Sequence, residues 1–116
     1  MLHFAMTDPV IEIREYLTQD GRNPFREWLL SLRDREARAR IRVRIDRVSL
    51  GNFGDWRSVG SSVGELRIAH GPGYRVYFGR AGATVIVLLC GGDKSTQAAD
   101  IEKAQAYWAD DQRRTA

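Results

Sequence analysis

Two arginines, Arg67 and Arg75, lie in neighbouring segments that alternate apolar and polar residues around a short glycine and proline turn. This alternation predicts the two strands of a β-hairpin. The register that places both apolar sets on one face pairs Leu66 with Val76, and it also sets Arg67 opposite Arg75. Like charges in that position repel, so we expect either that Glu65 bridges the two guanidinium groups or that a phosphate binds between them.

A glycine-rich loop, Gly91 to Gln97, follows the apolar run from Val85 to Leu89 and precedes a helical pattern. It lacks the spacing of a loop that binds nucleotide triphosphates. Its position at the end of a buried strand is expected to bring Lys94 and the amides of a helix N-terminus to the arginine face. Lys94 is therefore a second candidate for anion binding. Asp93 and Gln97 are candidate substrate-binding residues, and the alternative for all three is ordinary loop and first-turn polarity.

His70 lies in the hairpin turn and is either a solvated loop residue or a general acid or base. The chain has only one other histidine, His3, has one cysteine, and has no carboxylates at ligand spacing. These features predict no metal site. Cys90 ends an apolar run and is expected to be a buried core residue. A single cysteine forms no internal disulfide, which favours a reducing cytoplasm.

The order of predicted elements is strand, helix, helix, three antiparallel strands and helix, which is typical of a two-layer α+β domain. The first strand is predicted at residues 10–16. The first helix begins at Pro24, with Asn23 as its N-cap. Trp56 is predicted to begin a strand that continues past residues 60–62 into the hairpin. The last helix is predicted over residues 96–108.

The segment from Asp34 to Leu50 is ambiguous because arginine alternates with Ala, Ile or Val, as it would in a strand. An apolar stripe with helical spacing, high helix propensity and the stop at Gly51 favour a helix. Its arginines form either a solvated face or a surface that contacts RNA or an acidic partner. On the second interpretation we assign Arg40 and Arg44 to substrate binding.

Length and composition indicate one globular domain, expected over residues 6–109 with flexible termini at 1–5 and 110–116. The chain has 116 residues, of which 43% are hydrophobic and 28% charged. No apolar run approaches the roughly 20 residues that span a bilayer, so no membrane association is predicted. Residues 21–80 carry thirteen basic against six acidic side chains, and sixteen of the 18 basic residues are arginine. This distribution makes a nucleic-acid partner plausible.

The motifs of the chain resemble those of the addiction-module killer proteins, the HigB-like branch of the RelE/ParE toxin superfamily, which includes phage-derived Gp49-like proteins. The resemblance extends from about Met6 to Trp108. It is carried by the strings at residues 65–68, 71–78 and 89–97.

This resemblance implies a RelE/ParE-like fold and a cytoplasmic toxin that cleaves messenger RNA on the ribosome without a metal or other cofactor. In that mechanism the ribose 2′-hydroxyl attacks the scissile phosphate. Arg67 and Arg75 would clamp the phosphate, and Lys94 would add charge or transfer a proton. Tyr77 would stack a base or orient the phosphate, and His70 is the preferred proton-transfer residue.

The resemblance also implies a partner, a helix-turn-helix antitoxin that covers the basic face. Two alternatives remain open at this point. One is a ParE-like inhibitor of DNA gyrase, which acts through protein contacts, and the other is a nucleic-acid-binding relative without catalytic activity.

Overall fold

The computed structural model describes residues 10–115, which form a five-stranded mixed sheet and three α-helices. The strand order across the sheet is β1-β5-β4-β3-β2. The strands are β1 (Glu12–Glu15), β2 (Trp56–Ser58), β3 (Val63–Ile68), β4 (Tyr74–Ala81) and β5 (Val85–Asp93). The helices are α1 (Pro24–Ser31), α2 (Arg35–Ser49) and α3 (Gln97–Thr115), and a short 3₁₀ turn (Lys94–Thr96) precedes α3. None of these helices is long and apolar enough to cross a membrane.

The predicted register of the central hairpin is confirmed. Strands β3 and β4 are antiparallel, with Leu66 opposite Val76 and Arg67 opposite Arg75. Leu66 and Val76 are almost completely buried in one core cluster. Because successive side chains of a strand point to opposite faces, the two arginines lie on the other face of the sheet.

Strand β5 lies between β4, to which it is antiparallel, and β1, to which it is parallel. The pairing with β4 slips by one residue, so that Tyr77 is opposite Cys90 whereas Phe78 is opposite Leu88. The extra residue, Leu89, and Cys90 both pack into the core cluster that contains Tyr77. This irregularity is a β-bulge, which puts two consecutive side chains on one face.

Helices cover both faces of the sheet. Phe25 and Leu29 of α1 and Ile41 of α2 pack against one face. Ala104 and Trp108 of α3 pack against the other. The predicted α+β class is confirmed. The prediction of two layers is wrong in one respect, because α3 does not share a layer with α1 and α2.

The first two helices begin at side-chain caps, of which Asn23 was predicted. Asn23 Oδ1 accepts a hydrogen bond from the amide of Arg26, at 3.0 Å, at the start of α1. Asp34 Oδ1 accepts one from the amide of Ala37, at 3.1 Å, at the start of α2. The ambiguous arginine-rich segment is therefore a helix, as predicted.

The strand predicted to run from Trp56 into the hairpin is divided in two. The chain reverses between β2 and β3, and Gly60, Ser61 and Ser62 have φ values of 90°, 54° and 64°. Two consecutive non-glycine residues in this region of φ are uncommon and mark a tight reversal. As a result, Arg57 of β2 lies directly opposite Glu65 of β3.

The last helix is longer than predicted. Residues 110–116 were expected to be flexible, but α3 continues to Thr115. Its last turns are anchored because the Tyr16 hydroxyl donates to Asp110 Oδ2 at 2.5 Å. Arg114 also donates to Asp110, and its guanidinium lies 5.6 Å from the centre of the Tyr16 ring. The predicted flexible segment at residues 1–5 lies outside the described residues.

Candidate active site

A buried carboxylate, Glu65, is the centre of the polar cluster on the α3 face of the sheet. Its side chain is 0% exposed. It accepts hydrogen bonds from Arg57 Nε at 3.0 Å, from the Tyr77 hydroxyl at 3.0 Å and from Gln97 Nε2 at 2.8 Å. These three donors come from β2, β4 and α3, so the cluster exists only when the strands and α3 are assembled.

Arg67 and Arg75 flank the same carboxylate. Their Nε atoms lie 3.4 Å and 3.9 Å from Glu65 Oε1. Both Nε atoms are buried, and neither has a hydrogen-bond partner among residues 10–115. The Arg67 side chain is 36% exposed and that of Arg75 is 10% exposed. Arg57, Arg67 and Arg75 thus surround the single negative charge of Glu65, so positive charge exceeds negative charge within this cluster.

The ionisation of Glu65 follows from its hydrogen bonds. Burial by itself raises the pKa of this carboxyl, but hydrogen bonds from Gln97, Tyr77 and Arg57 outweigh burial and hold the pKa below its usual range. The ionised carboxylate therefore lies between Arg67 and Arg75. This is the first of the two arrangements expected from the sequence, in which Glu65 bridges the two guanidinium groups. The surplus positive charge also leaves the second alternative, a bound phosphate, physically reasonable.

Tyr77 does not have the surface that base stacking requires. The residue is 0% exposed and belongs to the core cluster on the α3 face. Burial, followed by the hydrogen bond to Glu65 and the charge of that carboxylate, raises the pKa of its hydroxyl. The predicted stacking role for Tyr77 is therefore wrong. Its hydroxyl instead fixes the orientation of the Glu65 carboxylate.

Lys94 approaches Arg75 across Gly73, as predicted from the position of the glycine-rich loop. Gly73 has a φ of +82°, and a Cβ added there would lie 3.4 Å from Arg75 Nη1 and 3.6 Å from Lys94 Cβ. Arg75 Nη1 also donates to the Gly73 carbonyl at 3.2 Å. Lys94 is exposed and forms no ion pair within residues 10–115. The base of the Lys94 side chain therefore lies near Arg75, and its ammonium group has no acidic partner within residues 10–115.

Asp93 and Gln97, predicted to bind substrate, make contacts that hold the site together. Asp93 Oδ1 accepts from the Ser95 hydroxyl at 2.5 Å and from the Ser95 amide at 2.8 Å. These hydrogen bonds lower the pKa of Asp93 and cap the 3₁₀ turn that carries Lys94. Gln97 orients Glu65 as described above. Asp93 therefore positions the turn that carries Lys94, and Gln97 positions the Glu65 carboxylate.

His70 is not close to the arginine side chains. Its Nε2 lies 3.0 Å from Asp34 Oδ2, and its Nδ1 lies 3.8 Å from Glu36 Oε2. The imidazole also stacks on Tyr74, with 6.4 Å between ring centres. Tyr74 belongs to the core cluster on the α1 and α2 face. The structure therefore places His70 on the opposite side of the sheet from the face where Arg67 and Arg75 converge with Lys94.

Arg44 is held by backbone carbonyls. It donates to the carbonyl of Phe53 at 2.8 Å, to that of Asp55 at 3.1 Å and to that of Arg67. Burial lowers the pKa of its guanidinium. Arg44 thus ties α2 to the loop before β2 and to the end of β3, and its guanidinium donors are occupied by these carbonyls.

Arg40, the second arginine predicted to bind substrate, lies on the exposed side of α2. Its guanidinium pairs with Glu36, one turn earlier, at 2.8 Å. Helix α2 packs against the face of the sheet opposite the Glu65 cluster. Neither Arg40 nor Arg44 is therefore brought to the face that carries the arginine cluster.

Arg57 was not recognised from the sequence, and Glu65 was considered only as a bridge. Arg57 lies eight residues before Glu65 and has no motif of its own. Only the separate hairpin of β2 and β3 sets the two opposite each other. Gly60-Ser-Ser62 is a turn signal, but one strand that continues past it is what the sequence analysis predicts.

The glycine pair Gly91-Gly92 makes room for side chains from two helices. A Cβ on Gly91 would lie 2.2 Å from the Trp28 ring, and one on Gly92 would lie 1.8 Å from Asp100 Oδ2. Neighbouring Cys90 is 5% exposed, and burial raises its pKa to about 12. The prediction that Cys90 is a buried core residue is confirmed. Within residues 10–115, no group of three or more His, Cys, Asp or Glu could hold a metal ion.

Residues 27–111 match the family model described as phage derived protein Gp49-like (DUF891). The chain belongs to the Gp49-like family. This family is of the RelE/ParE-like toxin type, which agrees with the broader part of the resemblance seen in the sequence. The matched region of this Gp49-like protein includes Arg57, Glu65, Arg67, Arg75 and Lys94.

The Gp49-like protein is also similar to an uncharacterized protein of Haemophilus influenzae. The two are 46% identical over 95 residues, which cover 82% of this chain and 90% of the relative. The similarity therefore extends over nearly the whole length of the relative.

Proposed function

We propose that this Gp49-like protein is the HigB-like toxin of a type II toxin-antitoxin system and that it cleaves messenger RNA bound to the ribosome. The observation that supports this proposal best is the arrangement of Arg57, Arg67 and Arg75 around one buried carboxylate, beside Lys94. Guanidinium groups that are held in place before a substrate arrives stabilise the charge that develops on a transferring phosphoryl group.

In the proposed reaction, the ribose 2′-oxygen forms a bond to the adjacent phosphorus while the bond from phosphorus to the 5′-oxygen of the next nucleotide breaks. The products are a 2′,3′-cyclic phosphate end and a 5′-hydroxyl end. Arg67 and Arg75 bind the non-bridging oxygens and stabilise the negative charge of the transition state. The protein supplies this stabilisation from its own side chains, so no metal or other cofactor is part of the proposal.

Two proton transfers accompany these bond changes, one from the 2′-hydroxyl and one to the leaving 5′-oxygen. Of the residues predicted to transfer a proton, Lys94 lies beside Arg75, whereas His70 is bound to Asp34 on the other face. We therefore assign the proton that reaches the 5′-oxygen to the Lys94 ammonium group, while the proton of the 2′-hydroxyl is released to solvent water. Glu65 is enclosed by its five neighbours and serves to orient the arginines.

The proposal includes a cytoplasmic location, the ribosome as the site of action and a helix-turn-helix antitoxin as partner. An antitoxin that covers Arg57, Arg67 and Lys94 would shield the excess positive charge from RNA. Binding of that kind would neutralise the toxin without any change in its fold.

The decisive experiment is to express the chain in growing bacteria and to map the 5′ ends of cellular messenger RNA. The proposal expects new ends that disappear when ribosomes are kept off the messages. DNA damage without RNA cleavage would instead favour inhibition of DNA gyrase. If neither effect is seen, the protein is a binding relative without nuclease activity.

A single substitution tests the proposed role of Arg75. The Arg75→Ala variant is expected to cleave RNA at least about 100-fold more slowly. The substitution removes a preorganised guanidinium group that stabilises the negative charge of the transition state. Arg22→Ala is a matched control, since Arg22 is an exposed arginine that pairs with Glu27 in another part of the molecule. Both variants are compared by RNA 5′-end mapping, with circular dichroism to verify their folding. Cleavage at the normal rate by a folded Arg75→Ala protein would contradict the mechanism.

A further inference from the structure

An aromatic hollow lies at the sheet edge formed by β2, on the face opposite the arginine cluster. It is built around three rings, those of Phe53, Trp56 and Phe78, whose centres are 5.8 to 6.0 Å apart. The rings are tilted by 45° to 56° relative to one another. None of these residues takes part in the mechanism proposed above.

The hollow is open and has a volume of about 170 Å³. Trp56 is 46% exposed, which is unusual for a side chain of this size beside a core. Gly64 also lines the hollow, and the Phe78 ring packs directly on it, since a Cβ there would lie 2.3 Å from that ring. Ser58 and Ser62 complete the lining with hydroxyl groups that can donate or accept hydrogen bonds. The hollow therefore offers the exposed ring of Trp56 for stacking, with Phe78, which is 3% exposed, behind it and polar groups at the rim.

A positive charge lies beside the rings. The Arg80 guanidinium is 5.1 Å from the centre of the Phe53 ring and contributes to the lining. Arg80 donates to the Ala83 carbonyl at 3.3 Å, and no carboxylate of residues 10–115 forms an ion pair with it. Aromatic faces next to an unpaired arginine are the combination that binds bases and backbone of single-stranded nucleic acids.

The hollow and the arginine cluster are adjacent in the sequence and share an edge of the sheet. Trp56 and Arg57 are consecutive residues of β2, so their side chains lie on opposite faces. Strand β2 is the last strand of the sheet and has only three residues. An RNA strand that crosses this narrow edge can therefore contact Arg57 on one face and Trp56 on the other.

We propose that the hollow formed by Phe53, Trp56, Phe78 and Arg80 binds one nucleobase of the single-stranded RNA whose phosphate is held by the arginine cluster. The inference rests on the proposed function, since it adds a base-binding subsite to the same substrate. The small volume suits one planar group, and every base presents a face that stacks on an aromatic ring. Arg80 then contacts a backbone phosphate next to the bound base.

The proposal is tested by measuring the binding of a fluorescently labelled single-stranded RNA of about ten nucleotides by anisotropy. Trp56→Ala is expected to raise the dissociation constant about tenfold, because stacking on an aromatic ring typically changes affinity by roughly 5- to 100-fold per base. Trp56→Phe keeps an aromatic face and is expected to retain most of the affinity. Leu30→Ala removes another exposed apolar side chain, which is 60% exposed on α1, and serves as the matched control.

A second measurement does not depend on the folding of a variant. A series of RNAs is compared, each of which lacks the base at a different position. Only the RNA that lacks the base bound in the hollow is expected to bind the unaltered protein more weakly, by about tenfold. With the Trp56→Ala protein, the same RNA is expected to show no further loss of affinity, because the missing base and the missing ring belong to the same stacking contact.

The possible failures are distinguishable. If Arg75→Ala abolishes binding while Trp56→Ala and every abasic RNA bind normally, the base subsite is refuted and the arginine site stands. If abasic RNAs lose affinity equally with the unaltered protein and with Trp56→Ala, the base binds elsewhere and the inference is overturned. If the unaltered protein binds no RNA, the inference is overturned, and the mapping of messenger RNA 5′ ends in growing bacteria decides the proposed function separately.

Discussion

At the scale of single residues, the candidate site depends on the balance between one carboxylate and its basic neighbours. Glu65 is buried together with Arg75, and burial of unpaired charges is costly, so each of these residues stabilises the other in the folded protein. The carboxylate is ionised because it accepts three hydrogen bonds. Its removal would leave Arg67 and Arg75 directly opposed without a counter-charge.

Stability at low pH provides a test of this balance. The folded pKa of Glu65 lies below the ordinary value of 4.5. Ionised Glu65 therefore stabilises the folded state above that pH, and the contribution is lost as the pH falls through the folded pKa. We expect Glu65→Gln to reduce the free energy of unfolding by about 2 kcal/mol at pH 7. Below pH 4.5, the difference from the unaltered protein is expected to shrink.

Urea unfolding at a series of pH values measures this effect. Glu102→Gln is the matched control, because Glu102 is an exposed carboxylate of α3. A difference that stays constant from pH 7 to the acid limit would show that the charge of Glu65 is not what stabilises the cluster.

At the scale of secondary-structure elements, α2 is connected to the sheet by Arg44 as well as by its apolar side. Ala37, Ile41 and Val48 face the core and are 0%, 0% and 1% exposed. Arg44 adds hydrogen bonds to three carbonyls in the loop before β2 and at the end of β3. An arginine-rich helix thus uses one of its arginines for packing, while others, such as Arg40, lie in solvent.

Substitutions of Arg44 and Arg40 are expected to differ in their effect on stability, because Arg44 holds α2 to the sheet whereas Arg40 lies in solvent. Arg44→Ala should lower the free energy of unfolding by about 2 kcal/mol, since it leaves partly buried carbonyls without a charged donor. Arg40→Ala is expected to change it by less than about 0.5 kcal/mol, as is usual for an exposed ion pair on a helix. Urea unfolding measures both. Equal effects from the two substitutions would contradict the assignment.

At the scale of the whole molecule, helices on both faces divide the protein into two sides. The side covered by α1 and α2 carries His70 and the exposed arginines of α2, and the side covered by α3 carries the Glu65 cluster. The N-terminal end of α3 contributes Gln97 to that cluster, and its C-terminal end contacts Tyr16, next to β1. Helix α3 therefore links the candidate site to the opposite edge of the sheet.

Truncation of the chain after Ala109 tests the importance of this link. The shortened protein loses the bond from Tyr16 to Asp110 and the contacts of Arg114, so its melting temperature is expected to fall by about 5 °C. Gln112→Ala, which alters an exposed side chain of the same segment, is expected to leave the melting temperature unchanged. Differential scanning calorimetry measures both. An unchanged melting temperature after truncation would support the sequence-based expectation of a flexible tail.

The amino-acid sequence by itself determined the features that depend on local periodicity and capping. The register of β3 and β4, the pairing of Arg67 with Arg75, the helical state of α2 and the burial of Cys90 follow from side-chain patterns within a few residues. The proximity of Lys94 to Arg75 was also predictable from the sequence, because the loop that carries Lys94 leaves the end of β5, the strand next to the hairpin.

Only the tertiary structure decided which side of the sheet each remaining group occupies. It set Arg57 against Glu65 through the reversal between β2 and β3, directed His70 to Asp34, buried Tyr77 beneath α3 and extended α3 to Thr115. These outcomes depend on contacts between residues that are distant in the chain. Their free energies arise from packing and from shared counter-charges, which no local pattern of residues records.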